Sequence, residues 1–216
     1  MDYVGRTDWI LERLAGKTVL HLGFVGTTCE EGQYRLAAFN DSLHATLMRT
    51  TKRVVGVDIE AEIVTTLTEQ GVSDLFVGDV EALTQSAVPR DDFDVVLLGD
   101  LIEHLSNPGL MLDEIRVFLG HGGELIVTTP NAFSLPAFVR FVAGRFREGD
   151  QHVLSFNAYT LANLLRRHGW AVTETQTCYQ DRTRRERSRL GFRVGEWVLR
   201  RFPRFGGTLL VTARPD

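Results

Sequence analysis

Seven short apolar runs recur along the 216-residue chain, and most are closed by Gly or Asp. They are residues 18–22, 54–58, 74–78, 93–99, 124–129, 171–175 and 208–213, with Phe93-Asp94-Val95-Val96-Leu97-Leu98-Gly99 the strongest. Runs apolar at consecutive positions have no wet face, so they read as strands buried on both sides of a parallel sheet. Helical patterns lie between them, at 42–48, 62–68, 108–119 and 160–168. Pro108 suits a first helical turn, and Gly120 and Gly169 suit helix ends. Such alternation predicts an α/β fold with a doubly wound parallel sheet, which binds its ligands beyond the C-terminal ends of its strands.

Three stretches break the rhythm. Residues 27–41 separate the first strand from its helix. Residues 131–157 hold a helix-like part, 135–146, and a polar part, 147–152, which reads as a lid. Residues 181–201 alternate arginines with apolar residues and read as an amphipathic helix with a solvated face. The length suits a single domain spanning 1–216 with the lid as its insertion. A net charge of −4 argues against a nucleic-acid partner, which would favour a basic face. The two cysteines, Cys29 and Cys178, have neither zinc-site nor disulfide-framework spacing, and a reducing cytoplasmic compartment is expected. The first residues lack a secretory pattern, and no apolar stretch reaches the roughly 20 residues of a membrane span.

The strand ends carry the chemistry. The first run closes at Gly23, where the missing side chain lets backbone approach a ligand. Gly23-x-x-Gly26 is not the full dinucleotide fingerprint, and alone it reads as a tight turn. Asp58 ends the second run, where a carboxylate can accept hydrogen bonds from a ribose diol. Gly78-Asp79-Val80 ends the third, with an acid for an exocyclic amine and an apolar side chain for a ring face. Each acid alone is an ordinary loop residue or cap, but three such features end three successive strands. After the fourth run come Asp100, Glu103 and His104. A helical stretch would put them on one face, as a ligand contact, an acid/base pair or a divalent-metal site. The plain alternative is that Glu103 and His104 pair and tie the turn.

The series Val19-Leu20-His21-Leu22-Gly23, Val55-Gly56-Val57-Asp58-Ile59, Gly78-Asp79-Val80-Glu81, Phe93 to Leu105 and Gly122 to Asn131 resembles the motif ladder of class I S-adenosylmethionine-dependent methyltransferases. It is most similar to the branch containing ubiquinone-biosynthesis and sugar or natural-product O-methyltransferases. The resemblance runs from about residue 17 to residue 176. It implies a seven-stranded, mostly parallel sheet with an antiparallel last strand and S-adenosylmethionine as cofactor. It puts Gly23 under the methionine part, Asp58 on the ribose, Asp79 and Val80 on the adenine and Asp100 near the methionine amine. Phe24, Val25, Ile59 and Leu101 complete the cofactor-binding set. The chain departs from the family in its first glycine motif: His21 stands where an acid is usual, and Phe24-Val25 follow Gly23. An atypical loop over the methionine end is expected from residues 24–41.

Methyl transfer from a sulfonium needs alignment and exclusion of water, and a hydroxyl acceptor also needs a base. Of six histidines, His104 and His152 fall on segments expected to overhang the cleft; His44, His121 and His168 read as structural or exposed. Gly149-Asp150-Gln151-His152 resembles the family's segment ahead of the post-lid helix. The expected catalytic set is His152 as base, with His104 and Glu103 assisting; His152 as a lid anchor is the alternative. Asp100-x-x-Glu103-His104 also resembles the magnesium ligands of small-RNA and ubiquinone methyltransferases, which brings Mg²⁺ into consideration. The acceptor is expected to be a hydroxyl on a small molecule or saccharide. The lid aromatics Phe133, Phe138, Phe141 and Phe146 read as core, as a homodimer contact or as a substrate floor. Two rivals stand beside this reading: a non-catalytic scaffold of the same fold, favoured by the altered first motif, and an NAD-dependent oxidoreductase, disfavoured by the incomplete glycine fingerprint.

Overall fold

The computed structural model describes residues 5–26, 39–145, 149, 151–178, 197 and 200–216. Phe146, Cys29 and most of the insertions expected at 27–41 and 181–201 lie outside these. A helix, α1 (Arg6–Leu14), precedes β1 (Thr18–Leu22). Then follow α2 (Leu43–Thr50), β2 (Arg53–Asp58), α3 (Ala61–Glu69), β3 (Leu75–Val77), β4 (Phe93–Gly99), α4 (Pro108–Glu114) and β5 (Leu119–Pro130). The helix α5 (Leu135–Val142), α6 (Ala158–Arg167), β6 (Trp170–Cys178) and β7 (Thr208–Pro215) complete the order. One seven-stranded sheet runs β3-β2-β1-β4-β5-β7-β6. The strands from β3 to β5 pair in parallel, and β7 enters antiparallel between β5 and β6.

Alternating strand residues feed opposite faces. On one face Leu20, Leu22, Val96, Leu98, Leu125 and Val127 pack with Met111, Leu112, Leu161 and Trp170, which belong to α4, α6 and β6. On the other, Val19, Val95, Leu97 and Ile126 meet Trp9, Ile10 and Leu14 of α1 and Leu47 of α2. The consecutive apolar residues of β1 and β4 are therefore covered on both sides, as their pattern requires.

The helix expected at 108–119 is shorter. α4 tightens into a 3-10 turn, Ile115–Phe118, and Leu119 already belongs to β5. Among the described residues, no helix is long and apolar enough to cross a membrane.

Candidate functional site

Strand order reverses between β1 and β4, and a cleft of about 380 Å³ opens there beyond the strand ends. Gly23, Asp58, Ile59, Asp79, Val80, Asp100, Leu101 and His104 line it. Of the expected cofactor-binding residues only Phe24 and Val25 are not in that lining. Both are buried in one cluster with Phe39, Ala45 and Val64. They shape the cleft through the backbone, since the Val25 N–H donates to Asp58 Oδ2 at 2.9 Å. Gly23 adopts a φ of 69°, and a Cβ there would stand 2.8 Å from a Leu101 methyl, so the turn suits glycine.

Asp58 is 7% exposed at the tip of β2. Burial raises its carboxyl above the usual range, while the N–H groups of Val25 and Glu60 pull it back. Each of its oxygens accepts one of these bonds and keeps capacity for another, as a ribose diol requires. Asp79 caps the short turn after β3 by accepting from the Glu81 N–H at 2.9 Å.

At the other end of the cleft, Asp100 has a φ of 55° and is not on a helix with Glu103 and His104. The expectation of a shared face therefore fails: the chain turns sharply at Asp100 before the 3-10 turn Ile102–His104. Asp100 accepts instead from the Thr128 hydroxyl (2.9 Å) and pairs with Arg6 (3.2 Å). Arg6 also donates to Thr128 at 3.0 Å. Sequence reasoning missed Arg6; its one signal was the helical spacing of Trp9, Ile10 and Leu14 behind it. Gln151 lines the cleft and was also missed as a contact, its segment having been noted for His152 alone.

His21, which replaces the usual acid, is buried with His44 of α2. Their Nδ1 atoms stand 3.1 Å apart, and the rings stack at 5.3 Å. Such a contact needs one ring to donate and the other to accept, so one proton is shared. Burial, then His44, then the Arg6 charge hold His21 well below its ordinary value, and burial lowers His44 to about 4. Phe24 and Phe39 pack against the His44 ring. His44 is thus structural and fully buried.

Glu103 is 1% exposed, and its Oε2 accepts from the Thr129 hydroxyl at 2.8 Å. Its Oε1 is buried with no hydrogen-bond partner among the described residues. Burial, then the negative charge of Asp100, push this carboxyl up to about 7. His104 Nδ1 lies 3.1 Å from the Gln151 carbonyl, which can only accept. That bond puts the proton on Nδ1 and leaves the Nε2 lone pair available. Burial lowers the His104 pKa, so the ring is neutral near pH 7. His152 meets His104 edge-on at 4.8 Å and is not in the cleft lining. Glu103, His104 and His152 each offer a ligand atom within 4.8 Å of the others. Of the remaining histidines, His121 is exposed, and His168 ends α6 and pairs with Asp113 at 2.9 Å.

A seven-stranded sheet of this order, with acids at the tips of β2, β3 and β4 around one cleft, defines the class I S-adenosylmethionine-dependent methyltransferase fold. A protein family described as a methyltransferase domain matches residues 29–175, and the chain belongs to it. A ubiquinone biosynthesis O-methyltransferase of Aeromonas salmonicida (strain A449) is 30% identical over 129 residues. That match covers 58% of this chain, which spans about half (50%) of the relative's length. The fold is shared with a Haloferax volcanii putative methyltransferase solved in complex with the Trm112 activator (TM-score 0.58, 20% identity, 95% of this chain and 86% of that one). It is shared too with the Synechocystis PCC 6803 magnesium protoporphyrin IX methyltransferase solved with bound S-adenosylhomocysteine (SAH) (TM-score 0.58, 16% identity, 97% and 80%).

Proposed function

We propose that this chain transfers a methyl group from S-adenosylmethionine to a hydroxyl of a small-molecule acceptor, with His104 as general base. The observation that carries this reading is the cleft: an acid for the ribose, an acid with Val80 for the adenine, and opposite charges at the far end, with one oriented imidazole at its rim. The donor set fits the cofactor. Asp58 would take the ribose hydroxyls, Asp79 the adenine amine, and Asp100 with Arg6 the amine and carboxylate of the methionine end. When bound, the cofactor supplies an electrophilic methyl on a sulfonium.

The chain's part is alignment and proton transfer. Gln151 fixes the His104 tautomer, so that Nε2 would take the hydroxyl proton of the acceptor as the methyl group passes from sulfur to oxygen, the carbon–sulfur bond breaking as the carbon–oxygen bond forms. His152, edge-on to His104, holds that ring in place from outside the cleft. Glu103 ties the same turn to β5 through Thr129.

Titration with SAH, S-adenosylmethionine and NAD tests the cofactor reading. Micromolar binding of the adenosyl ligands and none of NAD is expected; the reverse would return the chain to the oxidoreductase class, and no binding at all to the scaffold reading. His104→Asn is expected to lower kcat by about 10²- to 10⁴-fold with SAH affinity unchanged. Unchanged turnover would remove His104 as the base.

A second reading rests on the buried, unpartnered Glu103 Oε1 facing two imidazoles. One carboxylate and two histidines fit a divalent cation, and the nitrogen content suits Mn²⁺, Fe²⁺ or Zn²⁺ better than Mg²⁺. Such an ion would act as a Lewis acid on the acceptor oxygen. Full activity after dialysis against EDTA, with no metal found by mass spectrometry, would eliminate it.

A further inference from the structure

Two segments lead away from the Glu103–His104 turn to the same place. Thr129 near the end of β5 is bonded to Glu103, and the Val153 and Leu154 N–H groups donate to the Glu103 carbonyl. Farther on, Asn131 pairs in parallel with Phe156, and the Ala132 N–H donates to the Phe156 carbonyl at 2.8 Å. Beyond this pairing lies a cavity of about 770 Å³, walled by Phe133, Leu135, Phe138, Phe141 and Phe205. Ser155 is the sole polar lining residue among those described. Gln151 lines the cofactor cleft and Ser155 lines the cavity, so at most about 14 Å of chain separates the two.

Helix α5 serves this cavity and not the core. Ala137 is the buried residue of α5, while Phe138 and Phe141 are 61% and 67% exposed. An apolar wall of this extent on a surface helix marks a binding surface. A saccharide would leave its hydroxyls without partners there, at a cost for each. The volume lies in the range of small-molecule sites, and the wall is continuous with the segment that fixes His104.

We propose that this cavity holds the apolar tail of the acceptor, so that the substrate is an elongated molecule with its reactive hydroxyl at one end and a hydrocarbon or aryl tail at the other. The proposal rests on the methyltransferase reading above and replaces a saccharide with a lipid-like acceptor.

The test is calorimetric titration of para-alkylphenols, with chains of one to nine carbons, and of methyl glucoside into the protein with and without SAH. Phenol affinity is expected to rise roughly threefold to fourfold per methylene until the cavity is filled. In the Phe138→Ser/Phe141→Ser double variant that rise is expected to vanish while SAH affinity is kept. Both positions are exposed, so the fold is expected to tolerate the change; Phe133→Ser, a third exposed position, repeats the test on another wall. A flat response to chain length, tighter binding of the glucoside, or a rise that survives in the variants would overturn the proposal. So would a wild-type dimer, seen by sedimentation, that dissociates in the double variant without loss of the chain-length response. Failure of the wild type to bind SAH is a separate result, and it would sink the cofactor reading.

Discussion

Just past the end of β4, Arg6 and Asp100 hold opposite charges 3.2 Å apart, with Thr128 bonded to both. On the function proposed above, the methionine part of the cofactor is a zwitterion that would meet both of its counter-charges there. The Arg6 side chain is only 15% exposed, which strengthens charge-assisted hydrogen bonds. Arg6→Met is therefore expected to raise the KM for S-adenosylmethionine by about 10- to 100-fold, with little change in kcat. Steady-state kinetics against varied cofactor checks this, and an unchanged KM would separate Arg6 from the cofactor. Asp58 and Asp79 were legible in the sequence because each ends an apolar run, so the strand itself announces them. Arg6 was not, because it sits one short helix ahead of the first strand and reaches Asp100 only through the fold. His104 and His152 were legible as a pair, but their order was not. Which imidazole lines the cleft depends on where Gln151 places its carbonyl, and nothing in residue type or spacing encodes that.

Among the elements, the strands were readable and the helix boundaries less so. Burial on both faces writes near-continuous apolar runs into β1 and β4, interrupted by His21 and Asp94. In contrast, α4 ends at Glu114, five residues early, because Ile115 and Phe118 bury themselves in a 3-10 turn and Leu119 pairs with Phe93. α6 carries its own start signal. Asn157 accepts from the Tyr159 and Thr160 N–H groups, and the Thr160 hydroxyl receives the Asn157 N–H. Asn157→Ala removes this reciprocal cap and is expected to cost about 1 kcal/mol, read by urea denaturation. A loss within experimental error would mean that burial of Leu161 and Leu165 alone holds the helix. The helix α5 was expected to run to Phe146 but ends at Val142, with Ala143 as its C-cap. Its aromatic residues read as core or dimer contact on composition, because pattern alone cannot tell an apolar face turned inward from one turned to a cavity.

For the molecule as a whole, the buried His21–His44 pair links β1 and α2 to pH-dependent stability. Both rings have pKa values lowered on folding, so both are neutral in the folded state. Their contribution is complete above the unfolded value near 6.5 and is lost as pH falls toward the folded values. For His44, with a folded value of about 4, this amounts to about 3 kcal/mol between pH 6.5 and 4. His44→Leu is expected to flatten the fall in unfolding free energy over that interval by a comparable amount, measured by denaturant titration at pH 7 and pH 4.5. An equal fall in both proteins would place the acid sensitivity elsewhere. The replacement of the family's acid by His21 was plain in the sequence, but its partner was not, since His44 lies 23 residues away on another element.

The insertion of β7 between β5 and β6 also governs the order in which the chain becomes a protein. Among the described residues β6 pairs in the sheet with β7 alone, so it has no place there until β7 arrives. During synthesis, the five strands β1 to β5 can assemble while β5 keeps an open edge. That edge and the apolar residues of β6 stay exposed until residues 208–215 have left the ribosome. The interval is when the nascent chain is most open to mispairing and to chaperones, and the last strand brings it to an end.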